Sequence, residues 1–177
     1  MDRVDLLHLE GNIIDYDAKN IILDIDNCVF NSTEWEKYIP KDGSREGWNN
    51  YHSHYYLICE NPEMLEFLDK LYKREQFNSI YFLTAREDYD NMRAITIEQL
   101  NSAFSKYKWW DKISKFLYMR NACDYSPSYL VKQNILYSNI LHKVQIDLAI
   151  DDDLENINMY RRNGINTIYY KKYKKQY

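Results

Sequence analysis

The stretch Ile21-Ile22-Leu23-Asp24-Ile25-Asp26-Asn27 decides the fold, because an apolar run turns acidic at its carboxyl end. A short apolar run bounded by polar residues reads as a buried strand. Four more runs share that form: Ser79-Ile80-Tyr81-Phe82-Leu83, Lys115-Phe116-Leu117-Tyr118-Met119, Ile146-Asp147-Leu148-Ala149-Ile150 and Asn166-Thr167-Ile168-Tyr169-Tyr170. Segments of helical period lie between them. Residues 63–73 place Met64, Leu65, Phe67, Leu68, Leu71 and Tyr72 on one side, with Pro62 where a first helical turn tolerates it. Residues 88–104, 128–141 and 154–163 repeat the pattern, the last closed by Gly164 as a C-terminal cap. Strands alternating with helices predict an α/β fold, a three-layer Rossmann-like sandwich with a central parallel sheet. Ligands in such sheets bind beyond the carboxyl ends of the strands.

Residues 31–61 fit neither period. They carry Trp35, Trp48, Tyr51, His52, His54, Tyr55 and Tyr56. A connection of this length between a first strand and a first helix is unusual, and long loops are often functional. We read it as a small cap-like insert after strand one, folded over the carboxyl end of the sheet.

The 177 residues suit one domain, and the absence of repeats or low-complexity linkers supports a single unit over 1–177. Hydrophobic residues make up 45%, but 18 of them are Tyr, so Tyr must share the packing. Charged residues are 28% with both signs mixed, which argues against disorder. The net charge of −4 excludes a globally basic nucleic-acid binder, leaving room for a local patch such as the tail Lys171-Lys172-Tyr173-Lys174-Lys175. No apolar run reaches the roughly 18 residues of a membrane span, and the start carries Asp2, Arg3 and Asp5 rather than a signal segment. Cys28, Cys59 and Cys123 are odd in number without metal-type spacing. They are expected to be free thiols in a reducing, cytoplasmic compartment.

Chemistry collects at the strand ends. Strand one runs into Asp24-Ile25-Asp26-Asn27, strand two into Thr84-Ala85-Arg86, and strand four into Asp151-Asp152-Asp153; the third helix carries Lys132. Acidic groups after strands one and four converge if those strands are central neighbours. Clustered carboxylates repel unless a cation neutralises them, and Mg²⁺ suits a few carboxylates plus a phosphate. A hydroxyl and a Lys at the same mouth suit phosphate oxygens. The site therefore reads as phosphoryl transfer.

On these residues the chain resembles the haloacid dehalogenase-like superfamily: strand-ending Asp24-x-Asp26, strand-ending Thr84, helical Lys132 and strand-ending Asp151-Asp152, in order, over about residues 20–170. A narrower resemblance is to the phosphatase half of polynucleotide kinase/phosphatase-type proteins. It rests on Trp48-x-x-Tyr51-His52, Leu83-Thr84-Ala85-Arg86, Met119-Arg120, Asp124-x-Ser126-Pro127-Ser128-x-Leu130-Val131-Lys132 and Ile150-Asp151-Asp152 through Gly164-Ile165.

The resemblance implies a hydrolase, a phosphatase working through an aspartyl-phosphate. Asp24 is then the nucleophile and Asp26 the general acid and base. The Asp24 carboxylate, the Asp26 main-chain carbonyl and Asp152 are the implied Mg²⁺ ligands, with Asp151 holding a metal water or the Lys132 ammonium. Thr84 and Lys132 would grip phosphoryl oxygens. Dehalogenase members lack the second Asp, so Asp26 favours phosphoester chemistry. Cys28 departs from the pattern, in which Thr or Val is usual.

Asn27, Arg86 and Arg120 are the expected substrate-binding residues, although Arg86 and Arg120 also read as ordinary ion pairs. Asp153 reads best as a helix N-cap. Cys28 lacks a partner His at motif distance and is a poor rival nucleophile. His52 and His54 lack the company a metal site needs. The segment 86–132 is too short to hold a large lid, so the open site admits a bulky substrate, and the narrower resemblance implies a polynucleotide or nucleotide end carrying a 3′-phosphate; with no kinase P-loop, only the phosphatase half is expected. The alternatives are a small-molecule phosphatase such as a 5′-nucleotidase, or an idle phosphate-binding module. No membrane partner is expected, and the sequence sets no oligomeric state.

Overall fold

Ile21, Ile22 and Leu23 are fully buried because their strand, β1 (Asn20–Leu23), takes the centre of a parallel sheet. The structure, a computed structural model, describes residues 18–170, so the Lys171–Lys175 tail lies outside the described residues. After β1 the chain forms β2 (Phe30–Asn31), α1 (Thr33–Glu36), α2 (Arg45–Ser53) and β3 (Cys59–Glu60). It continues through α3 (Pro62–Glu75), β4 (Ser79–Asp88), α4 (Met92–Phe104) and β5 (Ser114–Asn121). The last elements are α5 (Ser128–Ile135), extended by a π-helical turn over Leu136–Ile140, then β6 (Leu148–Asp151), α6 (Leu154–Arg162) and β7 (Asn166–Tyr169).

The main sheet runs β5-β4-β1-β6-β7 with every pair parallel. Leu23 pairs with Phe82 on one side and Ile150 on the other, so the ends of β1 and β6 lie level with Phe82 and Leu83 of β4. Alternation sends Ile21, Leu23, Ile80, Phe82 and Ile150 to one face, against Leu65 and Leu68 of α3 and Phe104 of α4. Ile22, Tyr81, Leu83 and Ala149 face the other way, against Leu136, Ile140, Met159 and Tyr160. This is the expected three-layer α/β sandwich. A strand buried on both faces reads as a continuous apolar run, which is why β1 was visible in the sequence.

Local signals act where expected. Pro62 opens α3. Asp153 caps α6, its carboxylate accepting from the Glu155 N–H at 2.7 Å. That helix closes with Gly164 in the left-handed region (φ 72°), its N–H on the Arg161 carbonyl while the Ile165 N–H reaches Tyr160. This paired closure needs a residue that adopts positive φ cheaply.

Strand β4 departs from expectation. It does not end at Thr84 but continues through Asp88, and α4 begins only at Met92. After Leu83 the register with β5 shifts, and pairing resumes as Glu87 with Arg120 and Asp88 with Asn121. The bulge re-aims the side chains between Leu83 and Glu87.

The segment between β1 and α3 folds back on the sheet end. The ribbon β2–β3 pairs Phe30 with Glu60 and Asn31 with Cys59, bracketing α1 and α2. Trp35 is fully buried, stacks on Tyr51 at 4.4 Å, and packs with Met92 and Met119. Arg45 of α2 bonds Glu87 at 3.0 and 3.2 Å and lies over the Tyr89 ring. These contacts seat the insert on the β4–β5 side of the sheet. Among the described residues no helix is long and apolar enough to cross a membrane.

Candidate active site

The chain leaves the sheet at Leu23, and the Asp24 N–H still donates to the Ile150 carbonyl at 3.0 Å. That bond fixes Asp24 against the end of β6. Asn27 then turns the chain sharply with φ 59°. Its carboxamide oxygen accepts from Ser32, and its Nδ2 donates to Glu36 at 2.6 Å. Asp24 and Asp26 are thus held on a short loop at the carboxyl edge of two central strands.

Lys132 reaches into this edge from α5. Its Nζ lies 2.6 Å from Asp24 Oδ1 and 2.7 Å from Asp151 Oδ2. Asp151 ends β6, and its other oxygen accepts from the Asp153 N–H at 3.0 Å and Asn156 Nδ2 at 2.9 Å. Lys132 is 1% exposed and Asp151 fully buried. Burying such charges costs several kcal/mol per ion, which only close pairing offsets. Burial alone would lower the Lys132 pKa; attraction to Asp151 and Asp24 overcomes this and holds it well above its ordinary value.

One ammonium does not neutralise the acidic groups. Burial pushes Asp24 well above the usual carboxylate range, against the pull of Lys132, and the charges of Asp151, Asp152 and Asp26 push it further. Asp152 rises to about 7, from burial first and Asp151 second. Donor atoms of Asp24, Asp152 and Cys28 lie within 4.8 Å of one another, the one such cluster of His, Cys, Asp and Glu among the described residues. Desolvated, mutually repelling carboxylates are the donor set a hard divalent cation fits. His52 and His54 stand elsewhere: His52 Nε2 is 3.8 Å from Glu87, and His54 stacks on Tyr38.

Thr84 is buried inside β4, its Oγ1 accepting from the Arg86 N–H at 3.1 Å. By register it follows Leu83, the β4 neighbour level with Asp24. Arg86 is buried, and its Nε and Nη2 grip the two oxygens of Asp26 at 2.8 and 2.7 Å. Its Nη1 donates to Thr96 and Gln99 of α4. Arg120 gives Nε to the Ala85 carbonyl at 2.9 Å and Nη1 to the carbonyls of Asp124 and Ser126. Both arginines are thus engaged by bonds within the protein. Arg86 orients Asp26, and Arg120 shapes the loop that leads into α5 and Lys132.

Sequence reasoning missed Asn156, which holds Asp151 from α6. It also missed Thr96 and Gln99, which support Arg86. A polar residue on a buried helix face was the available signal for Asn156, since Ile157, Met159 and Tyr160 beside it are buried too.

The family described as the polynucleotide kinase PNKP phosphatase domain matches residues 18–172. Among solved structures, a chain of the Pnkp1/Rnl/Hen1 complex superposes with a TM-score of 0.58 at 16% identity, over 96% of this chain and 50% of that one. A second structure, of the Pnkp1/Rnl/Hen1 RNA repair complex, gives 0.56 over 97% and 48%. This chain thus spans about half the length of those two. A haloacid dehalogenase-like family hydrolase from Streptococcus pneumoniae superposes with a TM-score of 0.51 at 14% identity, over 85% and 83% of the two chains. No curated protein matches in sequence.

Proposed function

The chain belongs to the family of polynucleotide kinase PNKP phosphatase domains, and on that premise we propose that it removes the phosphate from a 3′-phosphorylated polynucleotide or nucleotide end. The observation that carries the reading is Lys132 bridging Asp24 and Asp151 at the sheet edge, with Asp152 beside them. A buried carboxylate paired to an ammonium on one oxygen has the other oxygen free for attack.

Asp24 attacks phosphorus and forms an aspartyl-phosphate while the phosphoester oxygen leaves. Asp26, oriented by Arg86, delivers a proton to that oxygen, then takes one from the water that hydrolyses the intermediate. Thr84 and Lys132 hold phosphoryl oxygens, and Lys132 offsets the charge that builds beside Asp24. The Asp24 and Asp152 carboxylates, with the Asp26 main-chain carbonyl, would hold Mg²⁺. When bound, it neutralises the clustered carboxylates and draws charge from the phosphoryl group. Asp151 bonds the Lys132 ammonium and acts through it. Residues 31–61 serve as a cap, and 1–177 function as one phosphatase domain. The free thiols suit a reducing, cytoplasmic setting.

The test is a panel of 3′-phosphate oligonucleotides, 5′-phosphate oligonucleotides, mononucleotides and p-nitrophenyl phosphate, with Mg²⁺ and with chelator. The 3′-phosphate oligonucleotide should give the highest kcat/KM, and chelation should abolish turnover. A preference for 5′-mononucleotides would replace the reading with a nucleotidase. Absence of turnover on every substrate would leave a phosphate-binding module.

A further inference from the structure

The guanidinium of Arg120 braces the loop that follows β5, and what that loop presents is Tyr125. Arg120 Nη1 donates to the carbonyls of Asp124 at 2.8 Å and Ser126 at 2.6 Å, the residues on either side of Tyr125. The Ser126 N–H donates to the Asp124 carboxylate at 2.9 Å, and the Cys123 N–H to Glu87 at 2.8 Å. Cys123 sits in the left-handed region (φ 64°), which a residue other than glycine keeps only where its surroundings fix it. Pinned backbone therefore flanks a free ring. Tyr125 is 67% exposed, more than any other large hydrophobic side chain among the described residues.

The loop leads down to the site. It ends at Ser128, the first residue of α5, whose Oγ lies 3.3 Å from the Asn156 Nδ2 that also donates to Asp151 at 2.9 Å. Tyr125 lies three residues before Ser128, about 10 Å of chain at most. The insert packs with Met92 and Met119 on one face of the extended β4–β5 pair, while Tyr129 of α5 packs with Tyr118 and Leu83 on the other. Glu87 joins the two sides, holding Arg45 of the insert and Cys123 of the loop. The mouth thus has two walls tied to one carboxylate, with Trp48 on the insert wall and Tyr125 on the loop wall.

A rigid tyrosine offers contact area at low cost in side-chain entropy, and a loop already fixed loses little more on binding. Every nucleobase has a π-face that stacks on such a ring, provided that base is not already stacked in a duplex. Resting on the phosphatase reading above, we propose that Tyr125 is a specificity-determining residue that stacks on a base of a single-stranded substrate end, with Arg120 as the positioning residue that fixes its loop.

The test measures kcat and KM separately on three substrates: a 3′-phosphorylated single strand, the same strand with its last two nucleotides abasic, and p-nitrophenyl phosphate. Tyr125→Ala should raise KM on the intact strand by about 5- to 150-fold, the range of one stacked base, and change kcat less. The gap in KM between intact and abasic strands should narrow by the same factor. Tyr125→Phe, which keeps a face to stack, should restore the parent value. Arg120→Lys cannot span the carbonyls that the guanidinium joins, and should reproduce part of the loss. Its effect should not add to that of Tyr125→Ala in the double variant, as coupled residues require. Should Arg120→Lys fail to fold, the exposed Tyr125 ring still carries the test. A gap left unchanged by Tyr125→Ala, or Tyr125→Phe as poor as the alanine variant, would overturn the stacking role. Losses that add in the double variant would overturn the role given to Arg120. If the parent cleaves the strand and only this pattern is missing, the present proposal alone falls. If it cleaves none of the three substrates, the phosphatase reading falls with it.

Discussion

Arg86 holds Asp26 through two parallel hydrogen bonds, Nε to Oδ2 at 2.8 Å and Nη2 to Oδ1 at 2.7 Å. A fork of this kind fixes the carboxylate plane as well as its position. Arg86 is in turn buried near the Trp35 ring and anchored by Thr96 and Gln99. The general acid of the proposed reaction is thus aimed by a residue two positions beyond Thr84.

Arg86→Lys should therefore impair the step that depends on Asp26. A lysine keeps the charge but cannot make the fork. Turnover of nucleotide phosphates, whose leaving oxygen needs a proton, should fall by about 10²–10⁴-fold, the range of general acid catalysis. Turnover of p-nitrophenyl phosphate should fall less, and Asp26→Ala should show the same split. Equal losses on both substrates would mean that Arg86 serves only the fold. Arg86→Gln, which leaves the Asp26 carboxylate without its cation, should also lower stability by about 3–5 kcal/mol.

Asp24→Asn should abolish turnover with the fold retained. The amide oxygen can still accept from Lys132, so the buried contact survives. What is lost is the nucleophile and a metal ligand, worth roughly 5 kcal/mol or more of barrier. Rates and circular dichroism on the same preparation check both halves. Activity above a few per cent of the parent would rule out a covalent intermediate on this residue.

The acidic cluster makes metal-free stability depend on pH in a definite direction. Asp152 titrates at about 7 when folded, against an ordinary value of 3.8. Burial is the main cause and Asp151 the next, with Asp26 adding to the rise; Lys132 and Asn27 oppose it. Between those two values the native chain holds a proton that the unfolded chain has lost, so stability falls as pH rises through this window. Asp24, raised by burial, slopes the same way. Metal-free protein should thus melt lower at about pH 8 than at about pH 5. Mg²⁺ should raise Tm at the higher pH, where the carboxylates are free to bind it, and do little at the lower. Asp152→Asn should flatten the profile. A melting temperature that rises over this range, equally in parent and variant, would exclude Asp152 as its source.

How far the sequence reaches is clear from individual residues. Asp24, Thr84, Lys132 and Asp151 stood out because each follows a buried apolar run or sits on a helix facing one. Polar groups at such positions have few reasons to be there besides chemistry. The overrun of β4 past Thr84 was hidden, because Ala85-Arg86-Glu87-Asp88 carries no strand pattern of its own. Pairing of Glu87 with Arg120 across a bulge holds it extended. The bonds of Arg120 were hidden for a related reason: its partners are main-chain carbonyls, which every sequence has and none displays. Trp35 and Tyr51 marked the insert as unusual, but their stacking against the Met92 and Met119 cluster is a tertiary fact.

The insert supplies the last prediction. Tyr51 is largely buried on Trp35, near enough to Asp26 that this charge helps burial push its hydroxyl pKa upward. Trp48 meets Tyr51 edge-on at 5.5 Å and remains partly exposed. An indole so placed, one ring away from the proposed acid, can stack on a base next to the scissile phosphate. Stacking contributes about 1–3 kcal/mol per base, so Trp48→Ala should cost roughly 5- to 150-fold in kcat/KM on a 3′-phosphorylated oligonucleotide. It should leave p-nitrophenyl phosphate, which has no base to stack, within a few-fold of the parent. Salt should depress kcat/KM on the oligonucleotide more steeply than on the matching mononucleotide, since only the longer chain has further phosphates to contact. Equal losses on all substrates would make Trp48 a packing residue of the insert. A mononucleotide that outperforms the oligonucleotide, with no salt dependence, would make the insert a cover over a small pocket.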